Sequence, residues 1–368
     1  MILASLSVLI WLLLLLGPAQ AWRMQEVLVV DPERTAEDSV TTLIPARNEA
    51  DTLPSTLDAL FRQELDLGVV VLDDGSTDGT GEAAARTGLK LSVEKVPETP
   101  AGWMGKLWAL EWGLGRVQTD WILLLDADIL LDPGTLPSLL GKARQDKLDF
   151  LSVMALPRGG GFWDGWLMPV FIYFFKWIYP FRLSNRPGSK VAAAAGGCIL
   201  TRREVLKTVG AFESLRGSII DDCALARRVK EQGWGTWIGV SRSVRMQRRH
   251  GFAEIWQMVA RTAYTQLNYS PLLLMACTLA LVAVYGAPPL LFGLLKTPAA
   301  LVAALAWMLM MISMIPTARF CGQWRLSGLF LPAAALLFLA MTWHSAFRYA
   351  RGTRTQWKGR RYPRQDFP

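Results

Sequence analysis

Three apolar blocks fill most of the last third of the chain, at Leu272–Leu295, Ala299–Pro316 and Gly328–Phe347. Each block is long enough to cross the hydrocarbon core of a bilayer as a helix. A helix is also the structure that satisfies the backbone amides of such a segment from within. The Gly-Ala-Pro-Pro sequence at 286–289 interrupts the first block. We therefore expect that block to be re-entrant or split in two.

The N-terminus, residues 1–22, is a further apolar segment. Its Ala-Gln-Ala ending looks like a signal-peptide cleavage site, but no Lys or Arg precedes the apolar run and the first cation is Arg23. This charge bias favours an uncleaved anchor with Arg23 in the cytoplasm. If the catalytic domain is cytoplasmic, three further crossings would place the basic tail, residues 348–368, outside the cell. Basic segments prefer the cytoplasmic side of a membrane, so we expect an even number of crossings.

Composition restricts the chemistry of the remaining chain. The net charge of +8 lies largely in the basic tail, where a patch facing anionic lipid is favoured over a nucleic-acid site. The four cysteines have no Cys-x-x-Cys spacing, which indicates neither a zinc site nor a disulfide framework. With only two histidines, His250 and His344, an enzyme of this sequence is expected to use a carboxylate as its base.

The segment from Val40 to Gln247 alternates short β-rich runs with segments of helical spacing. In the first helical segment, Leu53, Leu57, Leu60 and Phe61 fall on one face. This alternation predicts an α/β domain with a mainly parallel sheet, and such sheets bind ligands beyond the carboxyl ends of their strands.

Carboxylate pairs stand where two of these predicted strands end. They are Asp73–Asp74 after "LGVVVL" and Asp126–Asp128 after "WILLL". Because the carboxyl ends of parallel strands meet at one edge of a sheet, we expect both pairs to line a shared crevice.

Residues 162–181 contain ten aromatic residues in twenty. A buried core helix is one interpretation of this segment, and a membrane span interrupted by Asp164, Pro169 and Lys176 is another. The aromatic content favours an amphipathic segment in the plane of the membrane interface.

Together the motifs "LIPARNEA", "VLDDGSTDGT" and "LLLDADILL", in this order, resemble the family 2 glycosyltransferases with the GT-A fold. The likeness extends from Val40 to Tyr264. The arrangement of membrane segments is similar to that of bacterial hopene-associated glycosyltransferases and, more loosely, of ceramide-glucosyltransferase-like enzymes. The resemblance implies an anchor at 1–22, a Rossmann-like GT-A domain at 23–270, a membrane region at 271–347 and the tail at 348–368.

The resemblance also implies a nucleotide-sugar site that holds Mg²⁺ or Mn²⁺, cations that prefer oxygen ligands. Asp128 would be the direct metal ligand, and Asp126 would contact the ribose or support the metal. One of Asp73 and Asp74, with Asp74 favoured, would bind the uracil edge. The remaining donor-side residues are Pro45, Arg47 and Glu49 around the nucleotide and Lys106 near phosphate, unless Lys106 is only a surface residue of its helix.

On the acceptor side, Gly196 and Gly197 would let the backbone approach the donor sugar closely. Asp222 matches the family's general base for an inverting transfer, and Asp221 would orient it. The alternative interpretation of this pair is an acidic helix start stabilised by the helix dipole, worth about 0.3–1 kcal/mol.

Weaker candidates lie further along the chain. Gln257, Arg261 and Tyr264 have the spacing of one helical face, as on an acceptor-side or diphosphate-side helix or on an ordinary amphipathic one. Many membrane relatives carry Gln-x-x-Arg-Trp at this point, and its absence argues against a processive polysaccharide synthase. In "WKGRRY", Trp357 and Arg360 would close over donor or lipid if the tail lies on the catalytic side.

The function expected from these features is sugar transfer from a UDP-sugar to a hydroxyl of a membrane lipid, a hopanoid or other isoprenoid. Polyprenyl phosphate or a glycerolipid is the alternative acceptor. The rival enzyme class is a haloacid-dehalogenase-type phosphatase. A nucleotidyltransferase and a non-enzymatic scaffold are the remaining alternatives. We expect a multi-pass protein of the bacterial inner membrane whose catalytic domain faces the cytoplasm.

Overall fold

The computed structural model describes residues 1–357 and 360–363, with side chains up to residue 352. The chain folds as two compact units. The α/β unit comprises residues 26–158 and 183–248, and the helical unit comprises 1–25, 159–182 and the described residues from 249 onward.

In the described chain, eight strands form one sheet in the α/β unit, in the order β3-β2-β1-β4-β7-β6-β8-β5. A two-stranded antiparallel ribbon, β9 with β10, follows the last helix. The strands are β1 (Val40–Ala46), β2 (Leu67–Asp73), β3 (Ser92–Lys95), β4 (Trp121–Leu125), β5 (Ile129–Leu131), β6 (Phe150–Leu156), β7 (Cys198–Arg202), β8 (Thr236–Met246), β9 (Thr353–Trp357) and β10 (Arg360–Pro363).

The α-helices are interspersed with the strands up to β8 and then follow one another. They are α1 (Ile2–Leu16), α2 (Leu53–Phe61), α3 (Thr80–Ala85), α4 (Gly105–Leu114), α5 (Thr135–Asp146), α6 (Phe162–Ile178), α7 (Phe181–Ser184), α8 (Arg203–Thr208), α9 (Asp221–Glu231), α10 (Phe252–Gln266), α11 (Pro271–Leu281), α12 (Ala287–Leu294), α13 (Ala299–Phe320) and α14 (Leu331–Ala350). Short 3₁₀ segments lie at Glu213–Leu215 and Arg325–Phe330, and a π-helical turn lies at Val282–Gly286.

One half of the sheet is parallel, as the alternating pattern predicts. Strands β3, β2, β1 and β4 run in one direction, and all residues of β1 and β4 are buried. Helices cover both faces of such a sheet, which explains why β1 and β4 are buried along their whole length. On α2, Leu53, Leu57 and Leu60 are fully buried in the core, whereas Phe61 is only partly buried.

Strand β7 departs from the parallel pattern. It lies between β4 and β6 and runs antiparallel to both. As a result the segment just before β7 arrives at the edge where β4 ends, and Gly197 accepts a hydrogen bond from the Asp126 amide at 3.0 Å. Antiparallel β7 therefore carries the Gly196–Gly197 pair to the carboxylates that follow β4.

The expected break of the first apolar block at Gly-Ala-Pro-Pro does not occur. Helix α11, the π-helical turn and α12 form one apolar helix, Pro271–Leu294. Pro288 has no N–H for the carbonyl four residues earlier, Val284, and the indole Nε1 of Trp11 donates to that carbonyl at 3.1 Å. The indole donor replaces the missing backbone bond, so the helix continues through the prolines.

Among the described residues, three helices are long and apolar enough to cross a membrane: Pro271–Leu294, Ala299–Phe320 and Arg325–Ala350. Helix α1 is shorter, and its buried face, Ala4, Ser7, Trp11 and Leu15, packs within the helical unit. The number of crossings and the side of the tail stay predictions.

Two charged residues that seemed to interrupt the aromatic segment are buried in α6 and hydrogen-bonded. The Asp164 carboxylate accepts from the amides of Gly159 at 2.7 Å and His250 at 3.1 Å. The Lys176 ammonium donates to the Arg23 carbonyl. Buried charges with such partners are tolerated in a helix core.

The two units also divide the chain differently from the predicted ranges. Helices α6 and α10 lie in the helical unit, although the range 23–270 assigned them to the catalytic domain. Both helices pack against α14 within that unit, and α6 also packs against α13. The placement of α6 in a membrane interface stays a prediction, and Phe162 at its start is exposed.

The Trp11 contact gives a test of how α1 is held. Trp11→Phe keeps an aromatic ring but removes the Nε1 donor, which leaves the partly buried Val284 carbonyl without that bond. An unsatisfied acceptor costs about 1–3 kcal/mol when it is fully buried and less when it is partly exposed. We expect a lower thermal unfolding temperature in detergent, measured by tryptophan fluorescence or light scattering. Trp324→Phe, at a side chain that is 60% exposed, serves as the control. Equal unfolding temperatures for both variants would contradict the role of Trp11.

Candidate active site

The motifs after β1 and β2 are joined to each other by side chains. The Asn48 side-chain oxygen accepts from the Thr77 amide at 2.9 Å, and the Ser76 hydroxyl accepts from the Asn48 amide at 3.1 Å. Asn48 has a φ of 54°, a left-handed conformation that asparagine adopts more readily than most residues. We call this set of contacts the clasp.

Asp78 and Thr80 complete the clasp. Asp78 accepts from the amides of Ala50 at 3.0 Å and Thr80 at 3.1 Å, and the Thr80 hydroxyl accepts from the Glu49 amide at 2.9 Å. Burial alone would raise the pKa of Asp78, but hydrogen bonds from Thr80 and Ala50 outweigh it and lower that pKa. Much of "ARNEA" and "DDGSTDGT" therefore maintains the geometry of the loops.

The predicted nucleotide residues surround the clasp. Pro45 is the sixth residue of β1, and Asp73 ends β2. Arg47 donates to the Asp74 carbonyl and lies 3.9 Å from its carboxylate, and the Asp74 residue is buried. Glu49 forms an ion pair with Arg248 and accepts from the Thr52 hydroxyl at 2.8 Å. Sequence analysis missed Arg248, whose only signal was its position directly after the predicted α/β segment, which ends at Gln247.

The turn Asp126–Asp128 directly follows β4, as predicted. Its backbone is held by Gly197 at the Asp126 amide and by the Ile129 amide, which donates to the Asp126 carbonyl at 3.1 Å. The Asp126 side chain is 36% exposed, so its carboxylate remains accessible at the edge of the sheet.

Lys106, on the first turn of α4, is a central residue of this edge. Its ammonium donates to the Asp126 carboxylate at 2.6 Å and to the Gly196 carbonyl at 3.3 Å. Burial acts to lower the pKa of Lys106, but the carboxylates of Asp126, Asp221 and Asp222 outweigh burial and raise it. Lys106 is therefore a charged member of the site, and its interpretation as an ordinary surface lysine is wrong.

Asp222 lies against the glycine pair. Its carboxylate accepts from the amides of Gly196 at 2.8 Å and Cys223 at 2.7 Å. Burial and the neighbouring Asp221 raise the pKa of Asp222 to about 6, against hydrogen bonds and Lys106, which lower it. Such a carboxylate is ionised at neutral pH and still basic enough to accept a proton.

Gly196 and Gly197 leave little room for side chains. A Cβ on Gly196 would lie 3.3 Å from the Asp222 carboxylate, and one on Gly197 would lie 3.4 Å from Ile129. The tight contacts at this glycine pair are with neighbouring side chains, and a close approach to a donor sugar stays a prediction.

The carboxylate oxygens of Asp126 and Asp128 are the type of ligand atom that a hard divalent cation prefers. No group of three or more His, Cys, Asp or Glu side chains in metal-binding arrangement occurs in residues 1–357 and 360–363. Mg²⁺ is commonly held by one or two carboxylates while substrate phosphates supply further oxygens. Two carboxylates at an accessible edge therefore fit a cation that arrives with a diphosphate.

The weaker acceptor-side candidates lie in the helical unit. The Gln257 side chain accepts from Arg348 at 2.8 Å, and the Tyr264 hydroxyl donates to the Tyr269 carbonyl at 2.8 Å. Arg261 lies between them on α10 and is partly buried. Trp357 and Arg360 pair in register between β9 and β10, and their side chains lie outside the described residues.

Comparison with known proteins matches residues 41–210 to the model of glycosyl transferase family 2. A 4,4′-diaponeurosporenoate glycosyltransferase of Staphylococcus haemolyticus (strain JCSC1435) is 33% identical over 108 residues, 29% of either chain. That of Staphylococcus aureus (strain USA300) is 28% identical over 196 residues, 53% of this chain and 52% of the relative. The chain thus spans about half or less of the curated relatives it matches.

A solved structure with a similar fold is a mannosyltransferase from Pyrobaculum calidifontis, in complex with GDP-Man and Mn²⁺. The TM-score is 0.56 at 19% identity, and the likeness covers 94% of this chain and 99% of the other. The α/β unit accordingly has the GT-A fold, which confirms the predicted fold class.

The clasp yields a prediction on stability. Asp78→Asn removes the ionised carboxylate that accepts from Ala50 and Thr80. Because the folded pKa of Asp78 is below its ordinary value of 3.8, its contribution is present above that pH and is lost as the pH falls through the folded pKa. We expect a lower unfolding temperature at pH 7 and a smaller difference from the unaltered chain below pH 3.8.

Asp51→Asn is the matched control, since Asp51 is an exposed neighbour on the same loop. Thermal scans at a series of pH values compare both variants with the unaltered chain. A loss for Asp78→Asn that does not change with pH would contradict a contribution from the ionised carboxylate.

Proposed function

Because the chain carries a family 2 glycosyltransferase domain over residues 41–210, we propose that it transfers a sugar from a nucleotide-sugar to a lipid in the membrane. The donor that we propose is a UDP-sugar, the acceptor group is a hydroxyl, and the anomeric carbon is inverted. The observation that carries the proposal is a chain of hydrogen bonds that links Asp126 to Asp222 at the edge where β1, β2 and β4 end. Lys106 donates to Asp126 and to the Gly196 carbonyl, and the Gly196 amide donates to Asp222.

In this proposal Asp222 is the general base. It accepts the proton of the acceptor hydroxyl while that oxygen forms a bond to the anomeric carbon and the bond to the diphosphate oxygen breaks. A base with a pKa close to the working pH is effective in such a step, and general-base catalysis contributes about 10²–10⁴-fold. Asp221 raises the pKa of Asp222 towards that range.

Asp126 and Asp128 hold the donor together with Mg²⁺ or Mn²⁺ on this proposal. When bound, the cation neutralises negative charge on the departing diphosphate. Lys106 places a positive charge beside Asp126 and supports the same end of the donor. Arg47, Glu49 and Asp74, with Asp73 and Pro45 at the strand ends, surround the nucleotide beside the clasp.

The lipid acceptor is supported by two features. Three described helices have the length and apolar character of membrane spans, and the matched relatives are named for the lipid-like 4,4′-diaponeurosporenoate. We propose a hopanoid or other isoprenoid acceptor, in the inner membrane of a bacterium with the α/β unit in the cytoplasm. Gln257, Arg261 and Tyr264 are proposed for its acceptor side, with Trp357 and Arg360 near the tail.

Nucleotide binding tests the donor side. We expect the purified chain in detergent to bind UDP in the presence of Mn²⁺ in calorimetry, and Asp128→Asn to abolish this binding because a cation ligand is lost. Asp146→Asn, on the exposed side of α5, is the control. Competition by vanadate without UDP binding would instead favour the phosphatase, and binding of GDP alone would change the donor.

The pKa of Asp222 sets an expected pH profile. The base must be unprotonated, so kcat/KM for transfer should fall below about pH 6 and reach a plateau above it. Asp221→Asn removes the like charge that raises this pKa, so the acidic limb should move to lower pH. Initial rates across pH 4.5–8 (roughly the range in which a carboxylate base titrates) give this comparison.

Asp222→Asn separates binding from chemistry. We expect UDP binding to be retained and transfer to fall by about 10²–10⁴-fold, because the variant lacks a base. Equal losses of binding and transfer would show that Asp222 serves the donor rather than the acceptor.

A further inference from the structure

Gln247 directly follows the last residue of β8, and its backbone is bonded on both sides. Its amide donates to the Asp128 carbonyl at 2.9 Å, and its own carbonyl accepts from the Arg158 guanidinium at 2.7 Å. All three residues belong to the α/β unit. The end of β8 is thereby attached to the second carboxylate residue of the Asp126–Asp128 turn.

The Gln247 side chain reaches the same turn by a second route. Its Nε2 donates to the Thr52 carbonyl at 2.9 Å and to the Thr56 hydroxyl at 2.7 Å. The Thr56 hydroxyl in turn donates to the Ala127 carbonyl at 2.9 Å. Both amide protons of Gln247 are then in use, and the single hydroxyl proton of Thr56 is directed to Ala127.

Two consecutive carbonyls of the turn, those of Ala127 and Asp128, are therefore held from outside it. The Ala127 carbonyl is held by Thr56 of α2, and the Asp128 carbonyl is held by Gln247 after β8. Rotation of either peptide would redirect a carboxylate, and Thr56, which holds one of the two carbonyls, is fully buried. The direction of the carboxylates thus depends on residues that do not belong to the motif.

We propose that Gln247 is a positioning residue, which fixes the Asp126–Asp128 carboxylates for the cation and diphosphate through the Thr56 hydroxyl. This inference rests on the proposed function, because it assigns those carboxylates to a nucleotide-sugar. Residues that orient metal ligands typically change metal affinity by about 10–100-fold when they are replaced.

Two variants remove the bridge in different ways. Gln247→Leu has a similar volume and no donors, and Thr56→Val replaces the hydroxyl with a methyl group of similar size. We expect each to weaken Mn²⁺-dependent UDP binding by about 10–100-fold in calorimetry. Thr56→Ser retains the hydroxyl and should stay within about twofold of the unaltered chain, since the hydrogen bond can still form.

Gln63→Leu is the matched control for loss of stability. Gln63 is a buried glutamine that donates to the carbonyls of Leu131 and Asp132 and accepts from the Leu136 amide, and it bonds to no atom of the Asp126–Asp128 turn. We expect this variant to unfold at a lower temperature and to bind UDP with unchanged affinity. Binding is measured for every variant below its own unfolding temperature, which is recorded in parallel.

The outcomes separate the two proposals. Unchanged UDP affinity in both Gln247→Leu and Thr56→Val, with binding by the unaltered chain, overturns the positioning role alone. A loss in Gln63→Leu as large as in Gln247→Leu also overturns it, because the effect would then follow stability. Failure of the unaltered chain to bind either UDP or GDP with Mn²⁺ overturns the proposed function and this inference together.

Discussion

The site depends on one partly buried cation, the Lys106 ammonium, among carboxylates. Asp126, Asp221 and Asp222 would repel one another if they were ionised side by side, and the Lys106 ammonium lies where all three raise its pKa. Lys106 bonds directly to Asp126 and to the backbone of Gly196, whose amide donates to Asp222. This arrangement lets a cluster of negative charge persist before any cation or donor is bound, because the attraction of Lys106 offsets part of the repulsion.

Hydrogen bonds of the loops, in turn, give the carboxylates their direction. The clasp joins the ends of β1 and β2, while Gly197, Thr56 and Gln247 hold the turn after β4. Most polar residues of the recognisable motifs therefore bond to neighbouring backbone, and a smaller number remain for a ligand. Such preorganisation is what electrostatic catalysis requires, since dipoles that are already oriented need not reorganise during the reaction.

In the helical unit too, hydrogen bonds from neighbouring segments hold polar groups in place, here within apolar helices. Asp164 and Lys176 are buried in α6 because loop amides and a loop carbonyl bond to them. The Val284 carbonyl, which loses its backbone partner to Pro288, is bonded by Trp11 of α1. Features that appear in the sequence as interruptions of apolar helices thus serve as attachment points between chain segments.

The sequence by itself determined the local features: parallel strands that end in carboxylates, the apolar face of α2, and the helices of the C-terminal third. These follow from residue periodicity and from the rule that parallel strands end at one edge. Only the tertiary structure decided that β7 runs antiparallel, that Lys106 bonds Asp126, that Trp11 bridges the proline gap, and that Gln247 and Thr56 hold the turn. The physical reason is sequence separation: Gln247 and Thr56 are 191 residues apart, and a hydrogen bond between them leaves no periodic trace in either segment.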